Sequence, residues 1–428
     1  MNDTQLSSAP LAGEYFTPEA DCPSEQVASV RDLYAGRIYP QQQVSAFSHI
    51  ERLFPSRRIA RGPAPAPLIE APVTFEELRL KSGGRDYDLY DVLSLNRVAA
   101  LLVLKDDRIC FEHYEFGLNQ QSRWMSMSIA KSISSTLVGI AIAEGLIESI
   151  DDPLEDYLPQ LRDGAYQGVG IRQLLRMCSG VDWLEDPTDP ESHRSIMLEL
   201  QLTQQPGAIL AFMSGLKRIA PPGTRWNYST GETHIVGELL RAATGESLAD
   251  YASSRLWVPL GMEADASWWL ESPGGLEVAG SGISATLRDY ARFGLFALHG
   301  GKVGDRQMVP ASWFADASSP FIVDGVRINY GYQWWPVYDL EDDEGLVDAN
   351  SADTAPKGVN KPIPSKDHWH GAFMAAGLFG QHIYIHPRER VVVVLWSAQS
   401  KPLDGEVVDE RAFFNAVVRQ LKRTSPVP

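Results

Sequence analysis

Trp124-Met125-Ser126-Met127-Ser128-Ile129-Ala130-Lys131-Ser132 is the stretch from which the fold of this chain is best predicted. After Ser128 the apolar residues recur at helical spacing, at Ile129, Ile133, Leu137, Ile140 and Ala141, and Gly145 then ends the run. The pattern predicts a loop that runs into a helix. Ser128 is therefore expected at or near the N-terminus of that helix.

Lys131 lies three residues after Ser128, so the two side chains are expected on one face of the helix, within reach of each other. A serine hydroxyl is a poor nucleophile at neutral pH until a base takes its proton, and an amine desolvated in a pocket can do this. The pair is a candidate Ser-x-x-Lys nucleophile. Taken alone, the pair is weak evidence, and a helix-capping serine beside a solvated lysine is the favoured explanation.

Length and charge restrict the classes of function. A chain of 428 residues can form one large domain or two interleaved ones. Its formal net charge of -17 argues against nucleic acid or an anionic membrane as a partner, because both carry negative charge. A small-molecule substrate is the better expectation, and a homodimer is compatible with the sequence.

The three cysteines, Cys22, Cys110 and Cys178, are too few and too scattered for a disulfide framework or a zinc site. They are expected to be buried or free thiols in a reducing compartment. The N-terminus lacks the basic start and apolar run of a signal peptide, and no segment has the apolar length of a membrane span. Cytoplasmic residence is the expectation, provided that Met1 is the natural start.

The order of the predicted elements indicates the domain organisation. Residues 1–67 form a wrapping segment that ends in a Pro-rich linker, and no chemistry is assigned to them. Residues 97–116 predict a hairpin of buried strands, and residues 148–280 a mostly helical subdomain. Strands are expected again at Gly331 to Trp335, His370 to Met374, Gln381 to His386 and Val391 to Ser397, before a last helix from Asp409 to Lys422. The fold class is therefore α+β: residues 68–147 and 281–428 share one antiparallel sheet flanked by helices, with the helical subdomain inserted between them.

From Arg97 onward, several ordered motifs resemble those of one superfamily. The motifs are Ser128-Ile129-Ala130-Lys131, Ile171-Arg172-Gln173-Leu174-Leu175 with Ser179-Gly180, Pro222 to Ser229, Gly282 to Thr286 with Asp289 to Arg292, and Gly377-Leu378-Phe379-Gly380-Gln381. Together they resemble the serine β-lactamase and penicillin-binding-protein superfamily. The likeness is greatest to class C β-lactamases, family VIII esterases and the aminohexanoate-oligomer hydrolases, and it implies a β-lactamase-like fold.

The resemblance implies a role for each motif residue. Ser128 is the nucleophile, Lys131 its activating amine, and Tyr228 the second-motif tyrosine that relays the proton. Such a relay works if the Lys131 ammonium lowers the pKa of the Tyr228 phenol. The backbone N–H groups of Ser128 and Leu378 are expected to form the oxyanion hole. The alternative for Tyr228 is a half-buried core tyrosine.

Two departures from the family pattern bear on the substrate. Thr230 stands where the second motif usually has asparagine, and the third-motif Lys-Thr-Gly is absent. The matching stretch, His370 to Gln381, is similar to that of the aminohexanoate-oligomer hydrolases, with Phe379 in place of a histidine. The missing lysine argues against β-lactam and cell-wall substrates and favours esters or amides. Thr230, His370, Gly377 and Phe379 are expected to contact the substrate.

An acidic loop, Asp182 to Glu191, lies between the first two catalytic motifs, where this superfamily builds the rim of its cleft. Trp183 is expected to contact substrate there. We hypothesise that Asp182, Glu185 or Asp186 attracts a cationic group such as the free amine of an aminohexanoate oligomer. An ordinary solvated loop explains the same residues equally well.

Histidine pairs at His368/His370 and His382/His386 raise the question of a metal, but no third ligand at standard spacing accompanies them. No metal or cofactor is expected. The sequence thus predicts a serine hydrolase that cleaves carboxylic esters or small linear amides through an acyl-enzyme on Ser128. The alternatives are a β-lactamase or DD-peptidase and, from another class, a non-catalytic binding protein of the same fold.

Overall fold

The computed structural model describes residues 15–16, 29–338 and 371–424. Its strands are β1 Tyr15–Phe16, β2 Ser56–Ile59, β3 Ile69–Glu70, β4 Arg79–Ser82, β5 Arg85–Asp88, β6 Val98–Lys105, β7 Arg108–Tyr114, β8 Arg123–Met125, β9 Ala266–Trp269, β10 Ile283–Thr286, β11 Lys302–Val303, β12 Arg306–Gln307, β13 Phe321–Val323, β14 Val326–Ile328, β15 Trp335–Pro336, β16 Phe373–Gly377, β17 Gln381–His386 and β18 Val391–Ser397.

The α-helices are α1 Val30–Tyr34, α2 Pro40–Ser48, α3 Leu89–Leu95, α4 Ile129–Ala143, α5 Ile171–Leu175, α6 His193–Leu202, α7 Ala208–Ser214, α8 Thr230–Thr244, α9 Leu248–Ala252, α10 Leu287–Leu298, α11 Trp313–Ala317 and α12 Glu410–Thr424. Among the described residues, no helix combines the length and apolar character needed to cross a membrane.

The larger sheet joins the two ends of the chain. Its strand order is β15-β16-β17-β18-β6-β7-β3, so the β6/β7 hairpin pairs with the C-terminal strands through β18. Neighbouring strands are antiparallel except β3 and β7, which run parallel. The predicted hairpin and the predicted sheet from N- and C-terminal parts are both confirmed, and the fold is α+β.

A second sheet, of order β1-β2-β9-β10-β8, leads directly to the nucleophile motif. Ser284 of β10 pairs with Met125 at the end of β8, and Tyr290 donates hydrogen bonds to the carbonyls of Trp124 and Ile283. These contacts fix the backbone that precedes Ser128. The start of the catalytic helix is therefore held by strands on one side.

Helix α4 lies in the middle of the protein, and its residues from Ile129 to Ala141 are all buried. The sequence predicted one apolar face, but small residues such as Ser134 and Ser135 cover the other faces and bond to loop carbonyls. A helix that is buried all round presents its N-terminus to a site inside the protein. This arrangement positions both Ser128 and Lys131.

Several element bounds differ from those predicted. Helix α8 begins at Thr230, four residues before the predicted His234, because the Ser229 hydroxyl caps it by accepting from the Glu232 N–H at 3.1 Å. Strand β16 begins at Phe373, and the expected strand over Gly331 to Trp335 is reduced to Trp335–Pro336. The segment 148–280 holds α5 to α9 and β9, and its separation as a subdomain stays a prediction.

Candidate active site

Ser128 sits at the junction of β8 and α4, where the backbone is under strain. Met127, the residue before it, has φ of 46°, a left-handed conformation that is costly for a residue with a side chain. Ser128 is the N-cap residue of α4, yet its side chain makes no capping hydrogen bond. The capping alternative is therefore wrong, and the hydroxyl is available to another group.

That group is Lys131. Its Nζ lies 2.8 Å from Ser128 Oγ, 2.9 Å from Thr230 Oγ1 and 3.2 Å from the carbonyl oxygen of Gly280. The side chain is 2% exposed. Burial lowers the pKa of the Lys131 amine to about 7, a change that the charge of Glu185 opposes and that of Arg194 reinforces. At neutral pH a large fraction of this amine is unprotonated and can act as a base.

Tyr228 is the third member of the group. The Lys131 ammonium lies 5.0 Å from the centre of its ring, and its hydroxyl forms a hydrogen bond with Ser128. The ring stacks on Trp335 with 5.7 Å between centroids. The expectation that Lys131 lowers the phenol pKa is wrong: burial raises it, and the Glu185 charge adds to the rise. Tyr228 is therefore a neutral phenol at physiological pH.

Thr230 and Glu185 complete the polar cluster. The Thr230 hydroxyl contacts Lys131 on one side and donates a hydrogen bond to Glu185 Oε1 on the other. Glu185 Oε2 accepts from the Thr230 N–H at 2.8 Å and from the Trp183 indole N–H at 2.6 Å. Both oxygens of Glu185 are therefore engaged within the protein.

The expected oxyanion hole lies where β16 ends. Gly377 packs so closely on the start of α4 that a Cβ there would lie 2.7 Å from Ser126 O and 3.0 Å from Ser128 N. Leu378 lines the same small cleft as Ser128. Among the described residues, neither the Ser128 nor the Leu378 N–H donates to a backbone carbonyl. The role of these two N–H groups stays a prediction.

The sequence matches the family model described as Beta-lactamase over residues 96–417. The chain belongs to the Beta-lactamase family. Its relatives include the 6-aminohexanoate-dimer hydrolase of Paenarthrobacter ureafaciens, 26% identical over 367 residues that cover 83% of this chain and 86% of the relative. The named relatives are hydrolases, and this member of the family is a serine hydrolase.

Solved structures agree on the fold. A protein from Bacillus anthracis, whose name only provisionally assigns it as a 6-aminohexanoate-dimer hydrolase, has a TM-score of 0.76 at 22% identity, over 95% of this chain and 99% of its own. A family VIII carboxylesterase has a TM-score of 0.52 at 17% identity, over 76% and 92% of the two chains. The predicted β-lactamase-like fold is confirmed.

Several residues in the cleft of this β-lactamase family member were missed from the sequence, Tyr34 and Arg194 among them. Tyr34, from the N-terminal segment, and Arg194, from α6, both line the cleft beside Ser128. The Arg194 guanidinium lies 4.4 Å from the centre of the Tyr34 ring, and its Nε is 4.0 Å from Glu185 Oε1. Neither residue belongs to a motif, so only the folded chain reveals them.

The acidic loop is more ordered than a solvated loop would be. Trp183 is 5% exposed, and its indole stacks on His193. Asp182 is exposed, and its N–H is bonded to the Lys217 carbonyl at 2.8 Å. The Asp186 carboxylate accepts from the backbone and hydroxyl of Thr188 within its own loop. Of the three acidic candidates, Glu185 lines the cleft, but its oxygens face Thr230 and Trp183.

The remaining predicted contacts lie elsewhere. Phe379 is fully buried, and its ring packs against Phe47 in the core, away from the cleft. His370, like His368, lies outside the described residues. His382 is paired with Glu410 at 2.6 Å, and the Glu389 N–H donates to His386 Nδ1. The expected contact of Phe379 with substrate is therefore wrong, because its ring is enclosed by the core, whereas a role of His370 in substrate binding stays a prediction.

One group of potential metal ligands occurs in the described part of the chain, at His234, Glu238 and Glu271. Glu238 forms a salt bridge with Arg241, and Glu271 accepts from the Gly207 N–H and faces His234 at 3.6 Å. These contacts form a buried charge network around α8. The free thiols Cys110 and Cys178 are buried, as expected, and Cys22 lies outside the described residues.

Proposed function

We propose that this protein cleaves carboxylic esters or small linear amides through an acyl-enzyme on Ser128. The observation that carries the proposal is the buried Lys131 amine, with a pKa of about 7, in hydrogen-bond contact with a serine hydroxyl that caps no helix. A non-catalytic binding protein has no need for a desolvated base beside a nucleophile.

In the acylation step, the unprotonated Lys131 amine takes the Ser128 proton as Oγ attacks the carbonyl carbon. A bond forms between Oγ and carbon, and the carbonyl oxygen becomes an oxyanion beside the N–H groups of Ser128 and Leu378. The C–O or C–N bond to the leaving group then breaks. The leaving alcohol or amine takes the proton, passed from the Lys131 ammonium through the Tyr228 phenol.

Deacylation reverses these roles. A water molecule attacks the Ser128 ester while the Lys131 amine, with Tyr228, accepts its proton. The acid is released, and the proton returns to Ser128 Oγ. Because Tyr228 remains a neutral phenol, it acts as a donor and relay in both steps, and Lys131 is the base.

Two observations support the proposed substrate class. The stretch that replaces the third motif, residues 371–381, contains no lysine to bind a β-lactam or peptide carboxylate. A relative of this chain is named for the hydrolysis of an aminohexanoate dimer, a linear amide. Esters and small linear amides are therefore proposed ahead of β-lactams and cell-wall peptides, and a cytoplasmic location is proposed with them.

The test is mass spectrometry of the intact protein after brief mixing with a p-nitrophenyl ester, with nitrophenol release followed in parallel. Wild type is expected to show a burst and an acyl adduct on Ser128, both absent from Ser128→Ala. The same assay with an aminohexanoate dimer and with a β-lactam ranks the substrate classes. If no ester, amide or β-lactam gives an adduct or turnover, the hydrolase mechanism is wrong and the binding-protein alternative replaces it.

A further inference from the structure

Neutral Lys131 can act on Ser128 only if its lone pair is directed there. An unprotonated amine has two N–H donors and one lone pair, and Lys131 Nζ has three hydrogen-bond neighbours. The Gly280 carbonyl can only accept, so it takes one N–H. The lone pair then points either at Ser128 or at Thr230, since each hydroxyl can donate or accept.

Glu185 removes this ambiguity. An ionised carboxylate only accepts hydrogen bonds, and Glu185 Oε1 takes the single proton of the Thr230 hydroxyl. Thr230 Oγ1 therefore has only lone pairs to offer Lys131, and it takes the second N–H of the amine. The one direction left for the Lys131 lone pair is towards the Ser128 hydroxyl.

The orientation of Glu185 is itself fixed by two other donors. Its Oε2 accepts from the backbone N–H of Thr230 and from the indole N–H of Trp183. The side chain of Glu185 is only 18% exposed, so few water molecules compete for these oxygens. The acidic loop thus places a side chain that can only accept hydrogen bonds against Thr230, the neighbour of the catalytic lysine.

We propose that Glu185 is a positioning residue that polarises the Thr230 hydroxyl, so that the lone pair of Lys131 is aimed at Ser128. The inference rests on the proposed function, because it assigns Lys131 as the base. Together Glu185 and Thr230 provide a hydrogen-bond acceptor of fixed orientation at the position where the second motif usually has asparagine. Glu185 therefore acts on the catalytic lysine instead of attracting a substrate amine.

The decisive variant is Glu185→Gln, which keeps the shape of the side chain. The two N–H donors at Oε2 require the carbonyl oxygen of the new amide, so its NH₂ group must face Thr230 Oγ1. The Thr230 hydroxyl can then donate its hydrogen bond to Lys131 and occupy the lone pair of the amine. We expect kcat/KM for a p-nitrophenyl ester to fall about 100-fold, with kcat carrying most of the loss.

A double-mutant cycle separates this role from loop disruption. In a Thr230→Val background no hydroxyl can capture the lone pair, so adding Glu185→Gln is expected to cost less than threefold. Multiplicative losses in the double variant would show that Glu185 merely supports the loop, and they would overturn the proposal. Thermal unfolding of each variant checks that all are folded.

A second readout needs no substrate. Ser128, Thr230 and Tyr228 face Lys131 as neutral groups, while Glu185 and Arg194 carry the charges that shift its pKa in opposite directions. NMR titration of the Lys131 side chain in protein labelled at the lysine ε-carbon is assigned with Lys131→Met. We expect its pKa to fall by about one unit in Glu185→Gln and to rise in Arg194→Gln.

The two readouts distinguish failure of this inference from failure of the proposed function. If the wild type shows no acyl adduct, the function is wrong, whereas the titration still tests whether Glu185 controls Lys131. If the adduct forms but the two variants move the Lys131 pKa in the same direction or not at all, the role of Glu185 is wrong and the hydrolase mechanism stands.

Discussion

Lys131 is the residue whose chemistry most depends on burial. Because its pKa is about 7 and the unprotonated amine is the base, activity is expected to rise with pH through about 7 and then level off. The measurement is kcat/KM for a p-nitrophenyl ester between pH 5 and 9. A rise in kcat/KM that appears only near pH 10 would mean that the amine is solvated and that Lys131 is not the base.

The same pKa change has a consequence for stability. The unfolded chain binds a proton at Lys131 up to about pH 10.5, whereas the folded chain releases it near pH 7. Between these values the unfolded state holds more protons, so folding stability rises with pH, by up to about 1.4 kcal/mol per unit. Urea unfolding at pH 8 and pH 9 is expected to show a more positive change of stability with pH in wild type than in Lys131→Met. Equal slopes in both proteins would contradict the burial of a neutral amine.

Tyr228 is expected to matter more for amides than for activated esters. Nitrophenolate leaves without a proton, but an amine must be protonated as it departs, and the neutral Tyr228 phenol relays that proton. Tyr228→Phe should therefore lose about tenfold on a p-nitrophenyl ester and about 1,000-fold on the matching amide. Steady-state kinetics on the two substrates provide the comparison. Losses of equal size would place the action of Tyr228 before departure of the leaving group.

At the residue scale, the sequence predicted the side chains that surround the nucleophile but not the residues at the rim of the cleft. Helix geometry brings Ser128 and Lys131 together, as their spacing predicted, and Tyr228 joins them at the place that the resemblance to the family implied. Tyr34 and Arg194 were missed because their proximity arises from tertiary packing between distant segments. Phe379 was placed in the cleft by alignment to a motif, but φ of 63° at this residue accompanies a ring buried in the core.

At the scale of elements, the contact between β16 and the start of α4 is expected to set the width of the predicted oxyanion hole. A Cβ at position 377 would lie 2.7 Å from Ser126 O and 2.8 Å from Met127 Cβ, so Gly377→Ala must push strand and helix apart. A displacement of about 1 Å is expected to reduce kcat about 100-fold. Kinetics with a p-nitrophenyl ester measure the effect.

The matched control is Gly164→Ala, because a Cβ there would meet its nearest atom, Ser214 O, at 3.4 Å, an ordinary contact. Its activity should be within twofold of wild type. If Gly377→Ala is as active as this control, the close approach of β16 to α4 is not what shapes the site.

At the scale of the whole molecule, the sheet could be predicted and the loop contacts could not. Long apolar runs such as Val391–Ser397 indicate buried strands, and strands at both ends of the chain with helices between them imply one shared sheet. The junction of the N-terminal segment with the body includes single buried polar contacts, which leave no periodic pattern in the sequence. Gln43, for example, is fully buried and donates to the Gln399 carbonyl at 2.8 Å.

The strongest test of that junction is the ion pair between Arg57 and Glu277. Arg57 Nη1 donates to Glu277 Oε1 at 2.6 Å, and the two side chains are 1% and 0% exposed. Glu277→Gln leaves a buried guanidinium without its counter-charge, so the free energy of unfolding should fall by about 3 kcal/mol. The pair of Arg31 with Glu199, 57% and 50% exposed, supplies the control, because Glu199→Gln is expected to shift the urea midpoint far less than Glu277→Gln. Urea midpoints measure both variants. Equal small shifts would mean that the N-terminal segment does not depend on this buried pair, and that apolar packing alone fixes it to the catalytic body.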